Sequence, residues 1–303
     1  MSLPTAQTVD RTTQPNRASR VRKFGRRAII TYLLIVLGMM FLETRLVYPI
    51  PPLTRHNWKP TNFEYEDVYF ASADGTKLNA WFFPNPKTKR AVLYCHGNGE
   101  DIAADGDLCS HLSNSRILNA NVLVFDYRGY GHSEGSPTEA GCIADGDAAQ
   151  KWLANRVGIH PNEVILMGRS LGSAVATALA ADNGCRALIL ENSMPSIVSV
   201  AAQQYPWLPV KWVMRNRYDN LERIKRYDGP FWQSHGTVDT LIPIASARTL
   251  FDAAPSKNKR WIEYPNSDHN DPRPRKYYDE LAAFLTTLDA PAPTLQPAGE
   301  KSS

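Results

Sequence analysis

From residue 91 onwards the chain alternates between two kinds of stretch. Short apolar runs, "AVLYCH", "NVLVFDY", "EVILMG", "RALILEN", "PFWQSHG" and "RWIEYP", have the unbroken hydrophobicity of strands buried on both faces. Most are separated by stretches that predict helices, near 102–118, 138–156, 173–181, 244–253 and 275–288. Strand and helix in alternation predict an α/β fold, a mostly parallel sheet with helices on both faces. Ahead of it, "FEYEDVYFAS" and "KLNAWFFP" flank Asp74-Gly75, the pattern of an antiparallel hairpin. One interval breaks the rhythm. Residues 194–228 are rich in Trp and Tyr and predict one or two helices outside the alternation.

The pattern also divides the chain. Residues 1–27 read as a basic disordered tail, 28–48 as a hydrophobic anchor helix, 60–288 as one folded domain with its cap at about 194–228, and 289–303 as a disordered tail. The uncharged run "AIITYLLIVLGMMFL" is shorter than the about 20 residues that cross a bilayer. Extending it through "ETRLVYPI" accepts Glu43 and Arg45 near the interface. No small-x-small cleavage site follows, which favours a retained signal anchor over a cleaved signal peptide or a core helix. Arg22, Lys23, Arg26 and Arg27 then keep the N-terminus cytoplasmic, so the single-pass chain carries its folded domain on the opposite face. Cleavage would instead export that domain.

Charge and composition narrow the classes of function. The net charge of +4 is local: residues 1–27 hold seven Lys/Arg against one Asp, leaving 27 against 29 elsewhere. A nearly neutral body has no general affinity for nucleic acid. The residues leave the oligomeric state open. Cys95, Cys109, Cys142 and Cys185 form no CxxC pair, so they read as reduced thiols in and near the core, with disulfides as the alternative. No metal or cofactor is expected. The chain has no H-E-x-x-H and no P-loop lysine, and Gly129-x-Gly131-x-x-x-Gly135 misses the dinucleotide spacing by one residue.

Gly168-Arg169-Ser170-Leu171-Gly172 sits where "EVILMG" ends and a small-residue helix begins. A serine on such a sharp turn projects above the sheet, and glycines on either side remove two side chains that would clash. At a helix N-terminus it also meets amides that favour developing negative charge. The alternative is a serine that only caps the helix. A nucleophilic serine needs a base, and the base needs an orienting acid. Of seven histidines, His269 follows the last strand, and Asp239 follows the strand beginning at Phe231, so both reach the same sheet edge as Ser170. Asp268 and Asp271 are rivals for the acid, and Asp126 follows an apolar strand, although "FDYRGYGHSEG" reads better as a structural loop. The backbone amides of Asn98, in "HGNGE", and Leu171 are positioned to serve as an oxyanion hole, with His96 structural.

The set "HGNGE", "DYRGYGHSEGSPTE", "GRSLGSAVA", "LENSMPSI", "GTVDTLIP" and "SDHND" resembles the membrane-anchored serine hydrolases of the bud-emergence-protein-like, serine aminopeptidase-like branch of the α/β-hydrolase superfamily. The resemblance covers roughly residues 60–288. It implies an α/β-hydrolase fold with an eight-stranded sheet and a short helical cap, and a triad of Ser170, Asp239 and His269. The expected activity is hydrolysis of carboxylic esters or thioesters on a small-molecule or acylated substrate. Trp207, Leu208, Trp212 and Val213 of the cap are candidates for an apolar acyl pocket, or else only pack the cap down. An amidase or aminopeptidase is the alternative enzyme, with Glu222 and Asp219 as amine-binding acids. A non-catalytic membrane-tethered binding protein is the third reading.

Overall fold

The computed structural model describes residues 17–114 and 117–289. The chain divides into two compact units, 1–43 and 44–303. Helix α1 (Arg17–Val47) starts eleven residues before the predicted anchor, so 17–27, expected as tail, are helical. Residues 1–16 and 290–303 lie outside the described residues. Within α1, the 28 residues Arg20–Val47 contain an 18-residue stretch of mean hydropathy 1.8, long and apolar enough to cross a membrane. Its apolar side chains, Phe24, Leu33, Leu37 and Phe41 among them, are exposed, unlike those of a core helix.

The second unit is built on one eight-stranded sheet. Strands β1 (Glu66–Ala71) and β2 (Lys77–Phe83) form the hairpin around Asp74-Gly75, where Gly75 adopts φ +86°. The six later runs become β3 (Ala91–Cys95), β4 (Asn121–Phe125), β5 (Ile165–Arg169), β6 (Ala187–Glu191), β7 (Phe231–Gly236) and β8 (Lys259–Tyr264). The order is β1-β2-β4-β3-β5-β6-β7-β8, antiparallel through β1-β2-β4 and parallel thereafter. All residues of β3, β4 and β6 are buried, as their continuous hydrophobicity demands.

Helices α2 (Ile102–Ser113) and α9 (Arg275–Thr287) contribute Ile102, Cys109, Leu112, Leu281 and Phe284 to the core on one face. Helices α3 (Glu139–Val157), α4 (Leu171–Asn183) and α8 (Ile244–Ala253) close the other with Leu153, Val175, Leu179 and Leu250. Local signals set the ends: Asp101 caps α2 through the Ala104 amide, Thr138 caps α3 through Gly141, and Gly158 ends α3 at φ +73°. The cap interval holds three short helices, α5 (Ile197–Gln204), α6 (Val210–Val213) and α7 (Asn220–Ile224), rather than one or two. Pro206 and Pro209 interrupt what would otherwise be a longer helix. Cys95, Cys109, Cys142 and Cys185 are all free thiols.

The unit begins earlier than the expected start at 60. Tyr48, only 2% exposed, has its hydroxyl 3.1 Å from that of Tyr218 and donates to Asn216 Oδ1 at 3.0 Å. Asp289, expected as the first residue of the tail, is ion-paired with both Arg90 and Arg186.

Candidate active site

The connections set the location of the site. β3 leads through α2 to β4 on one side, and β4 returns through α3 to β5 on the other. The order in which strands are laid down therefore reverses between β3 and β5, which run parallel. A crevice opens beyond the carboxyl ends of parallel strands at such a reversal. Cys95 at the end of β3 lies opposite Gly168 in β5, so "HGNG" and "GRSLG" emerge side by side.

The turn at Ser170 is tight. Ser170 adopts φ +50° and ψ −115°, a conformation non-glycine residues rarely take. A Cβ on Gly172 would collide with the carbonyls of Cys95 and His96, and one on Gly168 with the carbonyl of Gly172. The two glycines thus let the elbow nest against β3. Ser170 Oγ makes no side-chain cap bond to α4. The reading of Ser170 as a mere helix cap therefore does not describe this turn.

His269 Nε2 lies 3.0 Å from Ser170 Oγ, and His269 Nδ1 lies 2.8 Å from Asp239 Oδ2. With Nδ1 facing a carboxylate, that nitrogen carries the proton, and Nε2 is left to accept from the hydroxyl. Asp239 is held by more than His269. Its Oδ1 accepts the amides of Leu241 at 2.9 Å and Ile242 at 2.7 Å, and Oδ2 lies 3.2 Å from His235 Nε2. Burial alone would raise this carboxyl, but the bonds from His235, His269 and Ile242 outweigh it and hold the group below the ordinary carboxylate range. Sequence reasoning did not single out His235. Its place four residues before Asp239 in "SHGTVD" is the only signal it leaves.

The rival acids do other work. Asp268 Oδ1 accepts the amides of Thr240 and His269, both at 2.8 Å, and Asp271 Oδ2 accepts the Asp268 amide at 2.8 Å, so both brace the loop. Asp126 is buried 3.7 Å from His96 Nε2 and accepts the Ile102 amide at 3.0 Å; burial pushes its carboxyl well up. His96 is itself buried, which lowers its basicity, and Nδ1 sits 2.8 Å from the Gly97 carbonyl oxygen. In the glycine-rich loop after β4, Arg128 binds Asp145 and Asp74, each at 2.7 Å.

The Leu171 amide opens α4, where N–H groups lack partners within the helix. Across from it, the Asn98 side chain is gripped at both ends. Nδ2 donates to the Val47 carbonyl at 2.6 Å, and Oδ1 accepts from the Tyr130 hydroxyl at 2.8 Å. No group of three or more His, Cys, Asp or Glu among the described residues is arranged to hold a metal ion.

Comparison with known proteins agrees with this architecture. Residues 90–223 match the family model for the alpha/beta hydrolase fold. The chain is 36% identical over 225 residues to an uncharacterized protein of Mycobacterium tuberculosis, covering 73% of this chain and 79% of that protein. It is 30% identical over 297 residues to protein bem46 of Schizosaccharomyces pombe, covering 90% and 96%. It is 31% identical over 272 residues to the alpha/beta hydrolase domain-containing protein WAV2 of Arabidopsis thaliana, covering 78% and 85%. The chain belongs to the α/β-hydrolase family. Solved structures with this fold include an esterase of Pyrococcus furiosus, with TM-score 0.63, 20% identity and coverage of 79% of this chain and 97% of that one. A soluble variant of monoglyceride lipase from Saccharomyces cerevisiae follows at TM-score 0.56, 19% identity and coverage of 77% and 98%.

In this α/β-hydrolase the four cap candidates have different surroundings. Trp212 is 89% exposed and Trp207 55%, while Leu208 is buried and Val213 half-buried. Of the acids considered for amine binding, Glu222 pairs with Lys225 at 2.6 Å and Asp219 is exposed at the start of α7.

Proposed function

We propose that the chain is a serine hydrolase of carboxylic esters or thioesters, acting on a small-molecule or acylated substrate. The observation that carries this reading is the pair of contacts made by one imidazole, Ser170 Oγ at 3.0 Å and Asp239 Oδ2 at 2.8 Å. Ser170 Oγ attacks the acyl carbon while its proton passes to His269 Nε2, and the carbonyl π pair moves to oxygen. The amides of Asn98 and Leu171 receive that negative charge. Collapse of the tetrahedral intermediate expels the alkoxide or thiolate, which takes the proton from Nε2. Water then repeats the sequence on the acyl-enzyme, returning Ser170 and releasing the acid. Throughout, the Asp239 carboxylate stabilises the imidazolium, and its depressed basicity keeps it from taking the proton itself.

Leu208 and Val213 supply apolar surface for an acyl chain, and Trp207 and Trp212 extend it outward. Esterase and lipase structures of the same fold are in keeping with ester chemistry. The length and hydropathy of α1 support a single-pass anchor. Arg22, Lys23, Arg26 and Arg27 support a cytoplasmic N-terminus with the catalytic unit on the opposite face. A fluorophosphonate probe tests the chemistry: it should label the detergent-solubilised protein at Ser170 alone. Folded protein that resists the probe would refute the mechanism.

A further inference from the structure

The groups proposed to act come from four loops, after β3, β5, β7 and β8, and their spacing must hold to a fraction of an ångström for an acyl carbon to meet all of them. One side chain links three of these loops. Arg169, between Gly168 and Ser170, alternates with Ile165 and Met167 towards the α2/α9 face of the sheet, behind the elbow. Its Nη1 donates to Glu100 Oε1 at 3.0 Å, and Glu100 Oε2 accepts the Gly97 amide at 2.7 Å. Its Nη2 donates to Asn270 Oδ1 at 3.0 Å and to the His269 carbonyl at 3.3 Å.

The same His269 carbonyl accepts Asn192 Nδ2 at 2.6 Å, and Asn192 Oδ1 accepts the Gly236 amide at 3.3 Å, just before the Asp239 loop. Burial opposes the charge on Arg169, and the nearby carboxylates of Glu100 and Glu191 work against that effect. The pair is mostly shielded from water, with 17% of the Arg169 and 24% of the Glu100 side chain exposed, so it acts with less screening than a surface pair.

We propose that Glu100 and Arg169 are positioning residues that lock the oxyanion loop to the histidine loop across the back of the elbow, setting the distance between the Asn98 amide and His269. The proposal rests on the serine-hydrolase reading above. A guanidinium suits the task because its planar fork reaches two partners in fixed directions, whereas an ammonium is a single point of charge. Either end of the link is useless without the other. Glu100 alone would fix only its own loop, and Arg169 alone would only brace His269 and Asn270.

The test uses the full chain in detergent micelles, with p-nitrophenyl butyrate as substrate and a fluorophosphonate as probe. Wild type is labelled first; absence of label at Ser170 would remove the hydrolase reading and this one together. Given labelling, Glu100→Gln and Arg169→Met should each lower kcat by about 10- to 100-fold with KM nearly unchanged, because positioning acts on the transition state. The double variant should lose no more than the worse single one, since both break the same link. Arg169→Lys should recover only part of the loss. A kcat unchanged in Glu100→Gln, or losses that multiply in the double variant, would overturn the positioning role and leave the hydrolase reading standing. A fall in kcat that merely follows a fall in Tm, or that full activity in Arg169→Lys accompanies, would overturn it equally. Glu100→Gln keeps the shape of the side chain and so serves as the decisive variant if Arg169→Met fails to fold.

Discussion

The elbow and the cap rim occupy the same chain yet are built on opposite terms. Ser170, Asp239 and His269 are all buried, Asp239 has four polar neighbours, and Gly172 leaves no room for a methyl group. Around α6, Trp212 stands 89% exposed on a helix of four residues. A helix this short draws little stability from its own hydrogen bonds. A rigid site can hold geometry for bond-making, and a loosely held rim can yield to substrates of different shape. On the proposed mechanism, chemistry and selectivity fall to parts that tolerate change very differently.

Substitutions can break that contrast. Ser170→Ala should cut ester hydrolysis by about 10⁴-fold or more and abolish fluorophosphonate labelling, measured beside an unchanged Tm. Substantial residual turnover would move the nucleophile elsewhere. Gly172→Ala should destabilise the fold by about 1–3 kcal/mol, because a backbone carbonyl cannot swing aside as a side chain does. A thermal melt that matched wild type would mean that the elbow is looser than its packing implies.

His235→Phe keeps the ring near Trp261 but removes Nε2, which the Asp239 carboxylate shares at 3.2 Å with the Ile242 carbonyl at 2.8 Å. We expect kcat to fall about tenfold, the worth of one charge-assisted hydrogen bond. The acid limb should shift too. A carboxyl held below its unfolded value adds stability above about pH 4, and that stability disappears as pH drops through the folded value. Removing His235 raises the folded value, so the stability lost on acidification should be smaller and complete at a higher pH, which Tm measured across an acid series would read. An unmoved acid limb would assign the depression to His269 and the backbone amides alone. Trp212→Ala should leave stability within about 0.5 kcal/mol of wild type. It should raise KM for long acyl esters severalfold while sparing short ones. Equal effects at every chain length would detach Trp212 from the acyl path.

Local pattern was enough for much of the scaffold. The strands fall on the runs marked for them, β3, β4, β6 and β7 because burial on both faces leaves little choice of residue type and β1 because one face alternates with the other, and α8 spans the residues expected of it. Ser170, Asp239 and His269 stood out because each follows a strand at the same sheet edge. His235, Asn192, Arg169 and Glu100 escaped notice for a physical reason. Their roles come from contacts between residues far apart in the chain, 77 residues from Asn192 to His269 and 69 from Glu100 to Arg169, which no periodicity encodes. The start of α1 was missed because Arg and Lys, read there as a solvated tail, are also good helix formers that extend an apolar helix without changing its hydrophobic signal. The cap was read too simply, since its prolines divide one apolar stretch into separate turns.

Tyr48 has a practical consequence for anyone preparing a soluble form of the enzyme. It is tied to Tyr218 and Asn216 at the base of the cap, and the preceding carbonyl, Val47, holds the Asn98 side chain. A truncation placed just before β1, where the obvious sheet begins, would discard both ties and strip support from the oxyanion loop and the cap together. Cutting ahead of Thr44 removes most of the greasy helix while keeping Val47 and Tyr48 with the side chains they bind.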